Sequence, residues 1–318
     1  MTQTRPNIVI VCRNAVDGLT PFNNDYYIRA YSDLLLAVKR CGANVYFSSR
    51  EHYMGDGLFD KAYTMDAIVP FSQFTLTTDI RADLAYDKGD FSDIHDVTTL
   101  NPIFVHTITS NKSETYAHFG AYQPVSRLCQ DEQEMVAALG EVPGDMIVIK
   151  PLTGNGGHGV LIVKREDIDL TDSTFVAEYP VLVQEFLDTA CGIPGMVEGI
   201  HDLRIKTGNG EVWGGTLRTP REGELRANVA QGGTERHLFP EEIPEDAVAI
   251  AMAIDQHFTD YPRYYSIDLA RTERGWKLIE LNSKPGLSPV DMSKQATDIT
   301  ERLAQYLVRL ATDQLAQR

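Results

Sequence analysis

The chain is short of cysteine, of long apolar runs and of positive charge, and each shortage removes a class of protein. Its four cysteines, Cys12, Cys41, Cys129 and Cys191, are widely separated and form no CxxC pair. That argues against a disulfide framework or a thiolate metal site and suits reduced thiols in a cytoplasmic protein. No apolar stretch is long enough to cross a bilayer. The run at residues 8–12 is too short for a signal peptide and reads as a first strand. Lys plus Arg number 29 against 45 Asp plus Glu, a net charge of −16, which disfavours a nucleic-acid backbone or an anionic membrane as the main partner while allowing a local basic pocket. Internal repeats and low-complexity tracts are absent too. What remains is ordinary globular material, 43% hydrophobic and 23% charged over 318 residues, enough for two or three subdomains.

The first 50 residues predict strand, helix, strand: an apolar run at 7–12, helical spacing of Ile28, Tyr31, Leu35 and Val38 within 25–40, and a second run at 44–48. This pattern implies a parallel sheet joined by a right-handed crossover. It makes the polar loop 13–24, past the carboxyl end of the first strand, a candidate substrate loop. The middle is harder to read. Strands are expected at 67–70, 83–86 and 103–106, a helix capped by Ser110 or Asn111, a helix at 130–139 and a buried strand at 146–150. The closing helix is expected at 291–311 with Ile299, Leu303, Leu307 and Leu310 on its core stripe.

Three stretches carry chemistry. Lys150 ends a strand and opens a loop in which Gly154, Gly156, Gly157 and Gly159 fall within six residues. A Walker loop and a dinucleotide fingerprint are both ruled out, because a strand rather than a helix follows. A strand–glycine loop–strand reads as a flap whose backbone N–H groups close over phosphates, or else as a hairpin tip without a ligand. His158 within it reads as a loop histidine rather than a catalyst. Next, Asp202, Arg204 and Lys206 alternate with buried Leu203 and Ile205, and Arg218, Arg221 and Arg226 follow, with Asn228 two residues further on. Such arginines clamp carboxylates and phosphates, unless they are surface groups paired with Glu222 and Glu224. Last, residues 265–271 and 276–282 read as a hairpin. With Glu273, Arg274 and Gly275 as its loop, Thr272 faces Trp276, Asp268 faces Glu280, and Asn282 shares Glu280's face. Facing carboxylates destabilise a ladder unless a hard cation such as Mg²⁺ sits between them. An exposed acidic hairpin or a one-residue slip is the plain alternative.

Taken in order, Lys112 in SNKSETYAHF, IVIKPLTGNGGHGV, VQEF, HDLRI, RANVAQGGT, and YSIDL with IELNSKPG resemble the ATP-grasp carboxylate–amine ligases. Within them the chain is similar to the bacterial glutathione synthetase and ribosomal-protein S6 glutamate ligase group. The resemblance implies an α/β chain, α+β around the nucleotide. It divides into an N-terminal Rossmann-like domain at 1–110, a lid subdomain with the flap at 111–187 and a catalytic subdomain at 188–318, the last two gripping ATP.

On matching positions the resemblance makes Lys112 and Lys150 the phosphate lysines and Gly154, Asn155, Gly156, Gly157, His158 and Gly159 the flap. Gln184, Glu185, Phe186 and Leu187 become the adenine strand, with Glu185 accepting from the amino group. Asp202 and Arg204 become a substrate-facing or ribose-side pair, Asp202 counted with the nucleotide and Arg204 with the catalytic groups. Arg226 and Asn228 become the pair that stabilises the reacting carboxyl, and Asp268, Glu280 and Asn282 the ligands of Mg²⁺, two ions in this family, with Mn²⁺ as a substitute. The implied reaction joins an amino acid or short peptide to an amine through an acyl phosphate, releasing ADP and phosphate. A D-alanyl-D-alanine or glutamate-tagging ligase is the neighbouring alternative, and a silent ATP-binding module the alternative of another class. Relatives often form homodimers or homotetramers. Lys284 after Ser283 departs from the pattern, and residues 191–199 match no member closely enough to name a substrate.

Overall fold

The computed structural model describes residues 5–13, 22, 24–89, 91, 93–153, 159–168, 178–221, 223–224 and 232–317. In chain order they form β1 (Asn7–Cys12), α1 (Asp25–Arg40), β2 (Asn44–Ser49), β3 (Tyr53–Gly55), β4 (Leu58–Thr64), β5 (Thr75–Arg81), β6 (Leu84–Asp87), β7 (Thr99–Leu100), α2 (Ile103–Ser110) and α3 (Lys112–Phe119). There follow β8 (Ser126–Cys129), α4 (Glu132–Glu141), β9 (Met146–Pro151), β10 (Leu161–Lys164), β11 (Val181–Glu185), β12 (Asp202–Gly208) and β13 (Glu211–Thr219). β14 (Thr234–Leu238), α5 (Glu245–Asp255), β15 (Tyr264–Thr272), β16 (Gly275–Asn282) and α6 (Lys294–Gln317) complete the set. Two compact units divide the chain. One takes Met1–His106, Phe258–Tyr264 and Lys284–Arg318, the other Thr107–His257 and Tyr265–Ser283.

In the first unit β2, β1, β6 and β7 run parallel and β4, β3 and β5 extend the sheet antiparallel. β1 is a near-continuous Val/Ile run because a parallel strand is covered on both faces. The Asn24 side chain caps α1 by accepting from Tyr26 N, freeing Tyr31, Leu34, Leu35 and Val38 to bury. Two expectations fail here. Residues 67–70 are bends and coil, and the antiparallel strands β3 to β5 were not foreseen, their faces being too polar to alternate cleanly. Residues 103–106 open α2, with His106 N donating to Pro102 O at 2.9 Å. The β-branched Ile103–Val105 run looks like a strand, but Pro102 starts a helix readily and packing decides.

The second unit holds two sheets. The four-stranded one has the order β10-β9-β11-β8, and its core is Cys129, Met135, Ala138, Val142, Ile147, Ile149, Val181 and Val183. α4 is capped by Asp131, which accepts from Glu134 N. The five-stranded one has the order β14-β13-β12-β15-β16. Between β12 and β13, Asn209 (φ 49°) and Gly210 (φ 92°) both occupy the left-handed region, the two-residue turn that matches strand twist. β14 begins at Thr234, directly after Gly232 (φ 89°) and Gly233.

The hairpin of β15 and β16 corrects the sequence reading in one detail and keeps its result. Its loop is two residues, Glu273 and Arg274, so Thr272 faces Gly275 and Arg271 faces Trp276. Leu269 pairs with Leu278, yet Asp268 still pairs with Glu280 and Ser266 with Asn282, because Ile279 is an extra residue in a bulge. The bulge absorbs the one-residue error.

Candidate active site

Strand register collects the polar face of the five-stranded sheet into rows. Asp202 of β12 pairs with Arg218 of β13, which pairs with Glu235 of β14. Arg204 pairs with Thr216, and Thr216 with His237. Lys206 pairs with Gly214. On the other side of β12, Arg204 reaches Asp268 and the Thr207 hydroxyl donates to Tyr265 O. This face is charged but closed to solvent: Asp202, Lys206, Arg218, Ser266 and Asp268 are all buried. Alternation alone would have sent it to water.

Asp268 is the hub. Arg204 donates to both carboxylate oxygens, Nε to Oδ1 at 2.7 Å and Nη2 to Oδ2 at 2.6 Å, and Arg218 Nη2 donates to Oδ2 at 2.7 Å. Burial alone would raise its pKa, but the two guanidinium groups outweigh it and hold it at about 2. Arg218 Nε also donates to Asp202. Burial pushes Asp202 up to about 7, Asp268 adds to this and Arg218 opposes it. Arg218 was absent from the residues singled out as catalytic. Its buried position between Asp202 and Asp268 sets it apart from a surface arginine. The signal was incomplete: the Asn209–Gly210 turn alone sets Leu217 opposite Asp202, and a bulge at Trp213 moves Arg218 into that place.

Facing this lattice inside the same unit, Lys150 is held by Gln184. Its ammonium donates to Gln184 Oε1 at 2.8 Å and lies 3.5 Å from Ile279 O. Gln184 Nε2 donates in turn to Ser126 Oγ at 2.7 Å. The bulge thus aims a carbonyl at the lysine, and Gln123 Nε2 lies 3.5 Å from the same oxygen. Burial lowers Lys150 to about 8 against the pull of Glu280. Lys112, at the start of α3 behind the Asn111 cap, is lowered by burial as well and feels Glu280 too. Glu185 is buried, and its carboxylate accepts from Arg274 of the hairpin loop and, at 3.3 Å, from Val125 N. Phe186 and Leu187 leave the strand half-buried. Gly159 sits at φ 71°. Gly154, Asn155, Gly156, Gly157, His158, Arg226 and Asn228 lie outside the described residues, as does most of the 13–24 loop.

The donor set fits a hard divalent cation. Asp268 offers four lone-pair positions, of which three accept from arginine, leaving one on Oδ1. Glu280 is a quarter exposed, with Oε1 at 4.0 Å from Arg204 and 3.5 Å from Asn282 Nδ2. Asn282 follows it on the same strand face. Among the described residues no cluster of three His, Cys, Asp or Glu side chains is placed for a metal, so the amide of Asn282 is needed to complete an oxygen set.

A sheet bearing a buried lysine, opposed to a sheet bearing an arginine–carboxylate lattice, defines an ATP-grasp protein. D-alanyl-alanine synthetase A from Vibrio cholerae has this fold, with a TM-score of 0.67 at 15% identity over 98% of this chain and 99% of that one. So does a RimK domain ATP-grasp protein from Sphaerobacter thermophilus, at 0.58 and 16% over 95% and 98%. Residues 111–307 match the RimK-like ATP-grasp domain, more than half of the chain, and the protein belongs to that family. It is similar to the probable alpha-L-glutamate ligases of Maridesulfovibrio salexigens, 30% identical over 199 residues (59% of this chain, 61% of the relative), and of Thioalkalivibrio sulfidiphilus, 28% over 192 residues (59% and 58%). The chain therefore spans about three fifths of the length of the curated relatives it matches.

Proposed function

We propose that this protein is an ATP-dependent carboxylate–amine ligase that forms an amide or peptide bond through an acyl phosphate. The observation that supports it best is the pairing, in one unit, of the Gln184-held Lys150 with the Arg204–Arg218–Asp268 lattice. Magnesium ions held by Asp268, Glu280 and Asn282 would offset triphosphate charge, and the number of ions is part of the proposal. Lys112 and Lys150 would bind phosphate oxygens, and a bound anion favours their charged forms. Gln184 would keep the Lys150 ammonium pointed at the nucleotide. Arg204 and Arg218 keep Asp268 ionised. Arg226 and Asn228 would stabilise the oxygens of the reacting carboxyl, and the loop from Gly154 to Gly159 would exclude water from the acyl phosphate. Gln184, Glu185, Phe186 and Leu187 would border the adenine, and Asp202 the ribose side. The division at residues 110 and 187, small carboxylate and amine substrates, and a cytoplasmic setting belong to the same proposal. No helix among the described residues is long and apolar enough to cross a membrane.

The test is an ADP-release screen of paired acids and amines, with mass spectrometry of any product. ADP together with a condensed product supports the ligase. Mg-ATP binding with no ADP from any pair would instead mean a silent nucleotide-binding module. Glu280→Gln is expected to fold normally and lose most turnover, and full activity in that variant would remove the metal role of Glu280.

A further inference from the structure

Gln123 closes the turn between α3 and β8, its backbone N–H donating to Gly120 O at 3.1 Å. The chain there is tied to the end of β11. Glu185 N donates to Val125 O at 2.9 Å, and Val125 N lies 3.3 Å from Glu185 Oε2. Ser126, which pairs with Gln184 across the sheet, donates its hydroxyl to Pro124 O at 2.9 Å. The Gln123 side chain is buried. Its Nε2 lies 3.5 Å from Ile279 O, the carbonyl that the bulge aims at Lys150. The glutamine amide and the lysine ammonium thus converge on one oxygen.

That contact fixes which way the amide points. Its nitrogen faces Ile279 O, since two oxygens there would repel, and this leaves Oε1 on the other side. Gln123 Oε1 is buried and has no hydrogen-bond partner among the described residues, an arrangement that folded chains avoid. An amide oxygen accepts and never donates, so the group that completes it carries an N–H or O–H. The neighbouring acceptors are already engaged. Gln184 Oε1 holds Lys150 at 2.8 Å. Glu185 Oε1 accepts from Arg274, and Oε2 faces Val125 N. Glu185, the acceptor that the resemblance assigns to the adenine amino group, therefore has a donor on each carboxylate oxygen before any nucleotide arrives.

We propose that Gln123 reads the base of the nucleotide, its Oε1 accepting from the exocyclic amino group of adenine. The idea rests on the ligase reading only for a nucleotide beside Lys150, and it holds equally for a module that binds ATP without turning it over. A base with a keto oxygen in place of the amino group would set one partial negative charge against another and leave Oε1 unpaired. A site built around a buried acceptor discriminates against a ligand that lacks the matching donor. Gln123 is thereby a specificity residue that no motif contains, and its place beside Lys150 depends on the bulge at Ile279.

The full chain with Mg²⁺ is titrated calorimetrically with ADP and with IDP, the inosine diphosphate that carries a keto oxygen where ADP carries the amino group. Neither has a γ-phosphate to transfer, so turnover does not interfere. The parent chain is expected to bind ADP about tenfold tighter than IDP, the difference between a hydrogen bond made and a buried acceptor left unpaired. Gln123→Met keeps the length of the side chain and removes its oxygen. It is expected to weaken ADP and to leave IDP unchanged or tighter, so that the preference falls about fivefold. Gln123→Glu keeps an accepting oxygen and is expected to keep the preference. Equal weakening of both nucleotides in Gln123→Met would make Gln123 a support of the Ile279 bulge and overturn the proposal. An unchanged preference in Gln123→Met overturns it too, as does a preference lost in Gln123→Glu as fully as in Gln123→Met. Should Gln123→Met not fold, Gln123→Leu takes its place with the same expected outcomes. The two ideas fail differently. Binding of neither diphosphate to the parent chain removes the nucleotide site and Gln123's role together. ADP binding with a preference that the substitutions do not touch removes the role of Gln123 alone and leaves the ligase to the ADP-release screen.

Discussion

Asp268 and Arg218 show what a buried charge needs. Asp268 is almost fully enclosed and stays ionised because two guanidinium groups grip it in fixed geometry. Arg218 in turn is kept charged by Asp268 and Asp202 against the pull of its own burial. Removing one partner of such a lattice strands the others, so Arg218→Met is expected to cost about 3–5 kcal/mol in denaturant unfolding, and Arg218→Lys less. A loss below about 1 kcal/mol would mean that water reaches the lattice. Lys150 makes a different prediction. Its folded pKa, about 8, lies below its ordinary 10.5, so between these values the unfolded chain holds more protons. Burying Lys150 therefore costs stability at low pH, and the cost is relieved as pH rises from about 8 to 10.5. A nucleotide phosphate prefers the charged lysine. Its affinity should be insensitive to this group below about pH 8 and fall above it. Lys150→Arg, which does not titrate there, should remove that part of the slope in isothermal titrations across pH 7–10. An unchanged slope would assign it to Lys112, the other phosphate lysine, which burial also lowers.

Among the elements, the β15–β16 hairpin shows how legible such a site is and where legibility stops. The pairing of Asp268 with Glu280 could be read from turn chemistry and alternation, even though the loop is one residue shorter than it looked. A bulge at Ile279 restored the register, and no local signal in WKLIEL announces a bulge. The first parallel strands and α1 were legible because burial on both faces and helical spacing leave strong patterns. β4 and β5 were not, because half-exposed antiparallel strands carry weak ones, and α2 was misread because packing outweighed its β-branched run. The lattice acids and Arg204 stood out as charges on one strand face. Arg218 did not, since its burial depends on a partner strand. The glycine loop offers a test at this scale. Gly159 has φ 71°, and a Cβ there would lie 3.3 Å from Pro151 Cγ. Gly159→Ala should cost about 1–2 kcal/mol from the left-handed backbone alone, read as a lowered Tm, while a neutral effect would mean that the loop base relaxes into another conformation.

Across the whole molecule, the chain leaves and re-enters its units in an unusual order. The first unit takes the N-terminal sheet, then Phe258–Tyr264, then the C-terminal helix α6, although the strands of the candidate site are encoded between these pieces. α6 carries Ile299, Leu303, Tyr306, Leu307 and Ala311 as buried residues, and the Tyr306 hydroxyl accepts from Arg263 N at 3.0 Å. Asn101 clamps Tyr264 by both backbone groups at 2.7 Å, so the first residue of β15 is fastened within the first unit. Burying each large aliphatic side chain contributes about 1.5–3 kcal/mol, and a domain's net stability is about 5–15 kcal/mol. Deleting residues 294–318 therefore removes most of what holds the first unit folded. In hydrogen exchange followed by mass spectrometry, β1, β2 and β6 are expected to lose protection in the truncated chain. β9, β11, β12 and β13 are expected to keep theirs, and β15 should fray from Tyr264 inward. Simultaneous loss in all of these strands would mean that the two units fold as one cooperative body, so that the lattice around Asp268 depends on a helix that contributes no residue to it.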